Sequence, residues 1–384
     1  MNYQKWLSIN FFAFFFTWGI FIPYWTGWLI IEKDLSVSNA SIVMGAGMLG
    51  RGLSTFFLFP LATKRASIRK VMLWASGLSL LTMSFYMLAD TFIALLLITV
   101  LFSIVYPVLL PAMESSASVL MKTERIHYGK SRSFGSAGYT VGLLIIGATT
   151  ALWSEQSILW VMIVGLAIIW FLHTRPSPPV LTIPPEKIRK ERRKSDFKRL
   201  FASKSFVVVL LLTVLLQGAH ASYYNFGYIF LQDLGVNSLY IGVALNVAIL
   251  LEILFFTRAD ALFINTKVST MFLIAGIGST LRWVLIFLFP TVWIFVFSQL
   301  LHAVSFGVAH FAFIQFISKR LSHNEIPAAQ GMYAAFSMSL GMAVLTFASG
   351  FLYEIDPGIA FLGMTLCTIP AIIIVLLTRK QLQY

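Results

Sequence analysis

Eight ionisable residues lie inside long apolar stretches of this sequence, where a charged side chain is costly. They are Arg51, Glu114, Arg132, His220, Glu252, Arg282, His302 and His310. If these stretches cross a membrane, each such group costs roughly 2.5–3.5 kcal/mol to insert, so each is a candidate functional residue. Buried acids and bases can carry protons or bind a polar solute.

Glu114 and Arg132 lie in two consecutive apolar stretches, so their opposite charges are expected to meet across adjacent antiparallel helices. Pairing offsets the cost of removing each partner from water. One interpretation is a salt bridge that only orients the two helices. The other, which we favour, is a binding site: the carboxylate takes a proton or a substrate hydroxyl, and the guanidinium presents a planar fork to a carboxylate or two hydroxyls.

Glu252 and Arg282 form a similar acid and base in the second half of the chain. The sequence neighbours of Glu252 are apolar, and burial favours the neutral form of a carboxyl group. This carboxyl could therefore load and lose a proton near neutral pH, which proton coupling requires. Arg282 could instead lie near a helix end and extend its charge to the interface.

His302 and His310 are eight residues apart, which places them on nearly one face of a helix, with Gln299 one turn before His302. Gln299, His302 and Ser305 thus predict a polar stripe on an apolar helix. The stripe would serve either helix-to-helix hydrogen bonding or substrate binding.

A second polar face is predicted around His220. Gln217, His220 and Tyr224 follow at i, i+3 and i+7 in the segment QGAHASYYNF. Aromatic and amide groups around one histidine suit an aromatic or hydroxylated ligand. Ordinary packing of an aromatic helix is the alternative.

Several function classes are not favoured. His302 and His310 lie two turns apart, too far to share one ion, so we expect no metal site. The sequence lacks the GxSxG, Walker A and HExxH patterns, so we expect neither an enzyme nor an ATP-driven pump, with no catalytic residues and no cofactor. A net charge of +13 could indicate nucleic-acid binding, but the distribution of the charges gives a different explanation.

The composition predicts an all-α integral membrane protein. Hydrophobic residues make up 58% of the 384 residues and charged residues 11%, whereas soluble domains carry roughly 25% charged residues. The first apolar run is too long and too aromatic for a cleaved signal peptide, and the single cysteine, Cys367, has no partner for a disulfide. Apolar runs predict twelve spanning helices, near residues 6–31, 38–62, 70–89, 92–120, 133–153, 156–173, 205–232, 238–264, 268–288, 290–317, 328–353 and 357–378.

The polar segment 175–204, with the basic run RKERRK, is predicted to be a linker between two six-helix halves, 1–174 and 205–384. Twelve helices in two halves are typical of transporters built from 3+3 inverted repeats, whose substrate site lies near the membrane midplane. The basic run could bind anionic lipid or simply be a solvated loop that sets orientation.

The basic residues predict the orientation of the chain. If both termini lie on one side, all but three of the 28 Lys and Arg residues fall on that side, the exceptions being Lys33, Arg51 and Arg282. By the positive-inside rule both termini are cytoplasmic, in the inner membrane of a cell. The charge is therefore explained by topology, and no nucleic-acid partner is expected.

Several ordered motifs carry a resemblance to a known family. They are FFAFFFTWGIFIPYWTGWL, YGKSRSFGSAGY, QGAHASYYNF, AILLEILFF, LRW, QLLHAVSFGVAHFA, AQGMYAAFS and SGFLYE. Along nearly its whole length the chain resembles the phenylpropionate permease branch of the major facilitator superfamily, with the lactose and nucleoside proton symporters as more distant relatives. One departure is Thr63, which stands where the loop signature of the superfamily has an Asp.

The resemblance implies a proton symporter that takes up a small organic solute, with aromatic acids such as 3-phenylpropionate and cinnamate as the best-known substrates. Two pseudo-symmetric halves in one chain predict a monomer. It also implies a substrate role for Glu114 and Arg132, which stand where the lactose-permease type binds sugar. We predict substrate binding by Glu114, Arg132, His220, Tyr224, Arg282, Gln299 and His302, and proton coupling by Glu252 and Glu114. Uptake of a neutral sugar or nucleoside is one alternative, and a membrane sensor that does not transport is another.

Overall fold

A computed structural model describes residues 2–124, 126–183, 195–322, 325–382 and 384. Within these ranges every regular element is a helix. We number the long helices α1 Tyr3–Ile31, α2 Val37–Arg65, α3 Ile68–Ser84, α4 Phe92–Met121, α5 Tyr128–Leu152, α6 Ser157–Thr174, α7 Lys204–Asp233, α8 Ser238–Phe263, α9 Val268–Leu288, α10 Val292–Arg320, α11 Ile326–Ile355 and α12 Pro357–Lys380.

Eleven helices in the described ranges are each long and apolar enough to cross a membrane. The remaining one, α3, has 17 residues and continues as a 3₁₀ turn, Phe85–Met87. The start predicted for α5, at residue 133, is wrong, because the helix begins at Tyr128. Arg132 therefore lies one turn inside α5. The basic run RKERRK of the predicted linker, residues 189–194, lies outside the described residues.

Hydroxyl side chains fix where several helices begin. Each accepts a hydrogen bond from the backbone N–H three residues later, which satisfies one of the free donors of a helix N-terminus. These capping residues are Ser36 for α2, Ser67 for α3, Thr91 for α4, Ser203 for α7 and Thr291 for α10. Helix starts are thus determined locally.

One compact unit comprises Met1–Arg189 together with Asn237–Val243. Its closest packing joins α1 to α5, where glycines replace side chains. A Cβ atom on Gly138 would lie 2.2 Å from the backbone oxygen of Phe12, and one on Gly142 would lie 2.5 Å from that of Phe16. Only residues without a side chain allow the two backbones this approach.

The other unit comprises Lys190–Val236 and Ala244–Tyr384. Buried apolar side chains of α7, α9, α10, α11 and α12 form its core. The short helix Ser195–Ala202 packs on this unit through Leu200, which is 1% exposed. Arg199 of that helix pairs with Glu325, at 3.4 Å, just before α11.

Among the helices of the described ranges, three contain π turns, which are wider than α turns: Ser54–Leu58 in α2, Ala303–Val308 in α10 and Tyr333–Gly341 in α11. The regular hydrogen bonding of α7 is also interrupted, at Ala219 and His220. Such irregular turns in long helices are frequent at functional sites. They also change which side chains share a face.

Candidate substrate and proton site

Glu114 of α4 and Arg132 of α5 meet in the first unit. Arg132 Nε lies 3.6 Å from Glu114 Oε1, and the Tyr128 hydroxyl donates a hydrogen bond of 2.8 Å to Glu114 Oε2. The Arg132 guanidinium also lies over the ring of Phe15, 4.1 Å from its centroid. The carboxylate and the guanidinium are therefore both held in place.

This pair remains accessible. The side chains of Arg132 and Glu114 are 36% and 37% exposed, so the pair is not sealed in the helix interface. A salt bridge with this much exposure contributes little to stability. Its geometry instead leaves donor and acceptor atoms available to a solute.

Arg282 of α9 is completely buried in the second unit, so it does not extend to the membrane interface. Its Nη1 donates to His302 Nδ1 at 2.9 Å, and its Nη2 donates to Gln299 Oε1 at 3.1 Å. The guanidinium lies 4.3 Å from the ring centroid of Tyr223 and 4.6 Å from that of Trp283. Two aromatic faces and two hydrogen bonds compensate for the loss of water.

His302 connects Arg282 to Glu252. Because Nδ1 accepts a hydrogen bond from the guanidinium, the neutral imidazole carries its proton on Nε2. That nitrogen lies 3.6 Å from Glu252 Oε2. Glu252 and Arg282, expected as an acid and base of the same half, are thus linked through an imidazole.

His220 packs beside the connected side chains of Arg282, His302 and Glu252. Its Nδ1 donates to the backbone oxygen of Leu216 at 3.0 Å, so its Nε2 accepts from Ser305 Oγ at 3.0 Å. The rings of His220 and His302 are 5.5 Å apart, and Tyr224 lies 6.1 Å from His220. The α7 face and the α10 stripe that the sequence predicted are therefore one cluster.

Gln217 joins the cluster through its amide nitrogen, which lies 3.4 Å from the backbone oxygen of Phe306. Its Oε1 is buried, as is Nε of Arg282, and neither makes a hydrogen bond within the described residues. The acceptor Oε1 of Gln217 and the donor Nε of Arg282 lie in the same buried cluster, and such a pair is suited to a polar ligand. The cluster thus combines imidazole, guanidinium, amide and carboxylate groups. These groups are able to bind a polar solute and to accept a proton.

His302, Phe306 and His310 follow one another at four-residue spacing along one face of α10. Residues four apart share a face of a helix, and the π turn Ala303–Val308 lies between the two histidines. The ring of Phe306 lies 5.3 Å from His302 and 6.3 Å from His310, with interplanar angles of 9° and 2°. His310 Nδ1 in turn lies 2.9 Å from the hydroxyl of Tyr333.

The structure places the predicted site residues in two groups. Glu114 and Arg132 lie in the first unit, and His220, Tyr224, Glu252, Arg282, Gln299 and His302 cluster in the second. Sequence reasoning missed the aromatic partners of the guanidinium groups, Phe15 for Arg132 and Tyr223 with Trp283 for Arg282. Trp283 follows Arg282 directly in the sequence, and this adjacency was the available indication that an aromatic ring contacts the guanidinium.

Known proteins give the family. Residues 4–362 match the model of the MFS_1 like family. The chain belongs to this family. A probable 3-phenylpropionic acid transporter of Escherichia coli is 28% identical to this MFS_1 like chain in an alignment of 373 residues that covers 96% of each protein. A maltose permease of Geobacillus stearothermophilus is 26% identical in an alignment of 380 residues that covers 97% of this chain and 93% of the permease.

Solved structures support the fold of this MFS_1 like protein. The crystal structure of the nucleoside transporter NupG matches with a TM-score of 0.83 over 100% of both chains, at 17% identity. The predicted all-α membrane fold and the resemblance to the major facilitator superfamily are confirmed. The protein is a multi-pass membrane protein and a secondary transporter of the major facilitator type.

Proposed function

We propose that this chain is a proton-coupled symporter that takes up a small organic anion, specifically an aromatic carboxylate such as 3-phenylpropionate. The observation that carries the proposal is the buried connection of Arg282, His302 and Glu252. It joins a permanent cation to a carboxyl group through one imidazole. The name of the Escherichia coli relative supports the substrate class.

The connection supplies a physical reason for coupling. Without a solute, the charges of Arg282 and ionised Glu252 balance each other across His302. When a substrate carboxylate pairs with Arg282, it neutralises the guanidinium in place of Glu252. Its negative charge also repels the charge of Glu252, which favours protonation of Glu252. By reciprocity, a proton on Glu252 favours binding of the anion. Proton and anion therefore bind and move together.

Glu114 and Arg132 supply a second polar pair. Arg132 offers its guanidinium to the substrate carboxylate or to hydroxyl groups, and Glu114 accepts a proton or a hydroxyl hydrogen bond. Tyr128 holds the carboxylate through a hydrogen bond of 2.8 Å. Substrate binding then also involves His220, Tyr224, Gln299 and His302.

Uptake of a neutral sugar or nucleoside is the second candidate. The amide of Gln217, with its buried Oε1, and the tyrosine and histidine rings of α7 are groups that bind hydroxylated solutes. The maltose permease relative favours this candidate as well. A neutral solute needs no cationic anchor, so transport that survives Arg132→Gln combined with Arg282→Gln would favour it over an anion.

A membrane sensor without transport is the third possibility. It requires that Glu252→Gln and Glu114→Gln leave the cellular function unchanged. The density of ionisable groups in the second unit argues against it.

We further propose that the protein resides in the inner membrane as a monomer, is not an enzyme, and has both termini in the cytoplasm. The concentration of Lys and Arg on one side supports this orientation. Protease access to tags at each terminus, in right-side-out and in inverted vesicles, tests it. Cleavage only in inverted vesicles is expected.

The deciding experiment is uptake of labelled 3-phenylpropionate into right-side-out vesicles that contain the protein. Uptake is compared with an imposed inward proton gradient and with the gradient collapsed, and vesicles without the protein are the control. Accumulation that requires the gradient is expected. Absence of uptake by folded protein would contradict the aromatic acid assignment, and nucleosides, sugars and other organic acids would then be compared.

A further inference from the structure

His310 of α10 is an intramembrane ionisable residue to which the proposed mechanism gives no role. Its side chain is half-buried, and its Nδ1 lies 2.9 Å from the hydroxyl of Tyr333 in α11. This hydrogen bond joins two helices, but helix pairing alone does not require a group that titrates. An imidazole inside a membrane span is a candidate proton carrier, because it gains and loses a proton near neutral pH.

His310 lies between the cluster of Arg282, His302 and Glu252 and the basic end of α10. It follows His302 by eight residues, which is about 12 Å along a helix, and precedes the last residue of α10, Arg320, by ten. The proposed orientation puts this basic end in the cytoplasm. A proton that leaves the cluster towards the cytoplasm therefore passes the level of His310.

α8 brings Glu252 into the neighbourhood of His310. Phe256, one turn after Glu252 in α8, meets the ring of His310 edge-on, with ring centroids 6.0 Å apart. The two helices therefore pack against each other at His310, and the charge of Glu252 acts on both His310 and Tyr333. Glu252 precedes Phe256 by roughly 6 Å along the helix, so a short chain of hydrogen-bonded water molecules would join its carboxyl group to the imidazole.

Access to water differs among these groups. The Glu252 side chain is 25% exposed, whereas that of His302 is 2% exposed and Arg282 is completely buried. Ionisable side chains in a membrane span face the bundle interior or a water-filled cavity. Water therefore has access to Glu252 and to the half-buried His310, and it does not reach His302 or Arg282.

Phe306 separates the two histidines of α10. Its ring lies 5.3 Å from that of His302 and 6.3 Å from that of His310, and a phenyl ring neither accepts nor donates a proton. Direct transfer between the histidines is therefore blocked. His302 keeps the role of connecting Glu252 to Arg282, and Glu252 is the group that passes a proton on.

We propose that His310, positioned by Tyr333, accepts the proton that Glu252 releases and passes it to the cytoplasm. The O–H bond of the Glu252 carboxyl group breaks and an N–H bond forms on the imidazole, which leaves a carboxylate and an imidazolium. The imidazolium then gives a proton to cytoplasmic water and returns to the neutral ring, so no further reactant is needed. The proposal rests on the proposed function and assigns the exit step of its proton.

Downhill net uptake and counterflow separate proton release from solute binding. In the first assay, vesicles with equal, neutral pH on both sides take up labelled 3-phenylpropionate down its gradient, and each cycle requires release of a proton inside. In counterflow, labelled and unlabelled solute exchange without that release. The variants are His310→Ala and Tyr333→Phe. His127→Ala, whose side chain is exposed just before α5, is the matched control.

His310→Ala is expected to lower the rate of net uptake by at least about tenfold, because the proton acceptor is lost. Counterflow and the half-saturating concentration should stay within about twofold of wild type, because solute binding is retained. Imidazole added equally on both sides should restore most of the net uptake. Pyrazole, a ring of the same size that is not protonated at neutral pH, should not. Wild type and His127→Ala should not respond to either compound.

Tyr333→Phe keeps the aromatic packing and removes only the hydroxyl that holds His310. It should lower net uptake by at least about threefold with counterflow unchanged, and it decides alone if His310→Ala does not fold. Wild-type net uptake in both variants would overturn the relay and leave the proposed function in place.

Rescue of His310→Ala by pyrazole as well as imidazole, or an equal loss of net uptake and counterflow, would show that His310 only supports the packing of α10 on α11. Either result would overturn the relay. A pH-sensitive dye in the vesicle lumen reports the released proton. If the wild-type protein carries 3-phenylpropionate without releasing a proton, the proposed function and the relay both fail.

Discussion

Nδ1 of His302 accepts a hydrogen bond of 2.9 Å from Nη1 of Arg282, so the buried guanidinium determines which imidazole nitrogen carries the proton. The other nitrogen, Nε2, then presents its N–H to Glu252 Oε2 at 3.6 Å. A neutral imidazole thus transmits the field of a permanent cation to a titratable carboxyl group. This relationship is the basis of the first two predictions.

Glu252→Gln is expected to separate exchange from accumulation. Glutamine resembles the protonated carboxyl group in shape and cannot release a proton, so proton-driven accumulation should fall to equilibration. Counterflow of labelled 3-phenylpropionate should stay within about threefold of wild type because solute binding is retained. Glu354→Gln, at the exposed end of α11, is the matched control. Gradient-driven accumulation by Glu252→Gln would exclude this carboxyl as the proton carrier.

Arg282→Lys is expected to reduce transport strongly although the charge is kept. An ammonium group cannot reproduce the planar fork that reaches His302 and Gln299 and stacks on Tyr223. Initial uptake should drop by at least about tenfold, corresponding to roughly 1.4 kcal/mol. The same change at Arg258, which is exposed near the end of α8, should leave uptake unaltered. Normal uptake by Arg282→Lys would show that only charge matters at this position.

Glu325 should make stability depend on pH. Hydrogen bonds from the hydroxyl and the backbone N–H of Ser322 lower the pKa of the Glu325 carboxyl below its usual 4.5. The ionised carboxylate therefore stabilises the fold above about pH 4.5, and this contribution is lost as the pH falls through the lowered pKa. Glu325→Gln should cost roughly 1 kcal/mol at pH 7.

Thermal unfolding of the purified protein in detergent, at pH 7 and at successively lower pH, measures this effect. The difference in melting temperature between wild type and Glu325→Gln should be constant above about pH 4.5 and shrink below it. Arg199→Gln should have a smaller effect, because Arg199 is 65% exposed and its ion pair is screened by water and salt. A difference that grows as the pH falls would refute the assignment.

Gly138→Ala is expected to disrupt the packing of α5 on α1. Its Cβ atom would lie 2.2 Å from the backbone oxygen of Phe12, and a backbone atom cannot move aside as a flexible side chain can. We expect a loss of at least about 1–3 kcal/mol, seen as a lower melting temperature or a reduced yield of monodisperse protein. Gly129→Ala in the same helix has no atom within 4 Å of its new methyl group. That variant should be neutral or slightly stabilised, and equal behaviour of the two variants would contradict the packing.

Sequence reasoning predicted the helices well because each depends on local features. An apolar run long enough to cross the bilayer must be helical, since backbone groups in hydrocarbon can only bond within their own segment. Hydroxyl caps such as Ser203 and Thr291 then determine where a helix begins. The start of α5 was misplaced because the polar residues around Lys130 resemble a loop, whereas the helix begins at Tyr128.

The amino-acid sequence by itself determined the membrane class, the helices and which residues are unusual in an apolar environment. It also indicated that Gln299, His302 and Ser305 share a face. Tertiary structure decided the partners: His302 connects Arg282 with Glu252, and aromatic rings cover both guanidinium groups. Spacing along one helix indicates which side chains share a face. Partner choice depends on contacts between helices that are distant in the chain, such as the contact of His220 with Ser305, and local spacing does not encode them.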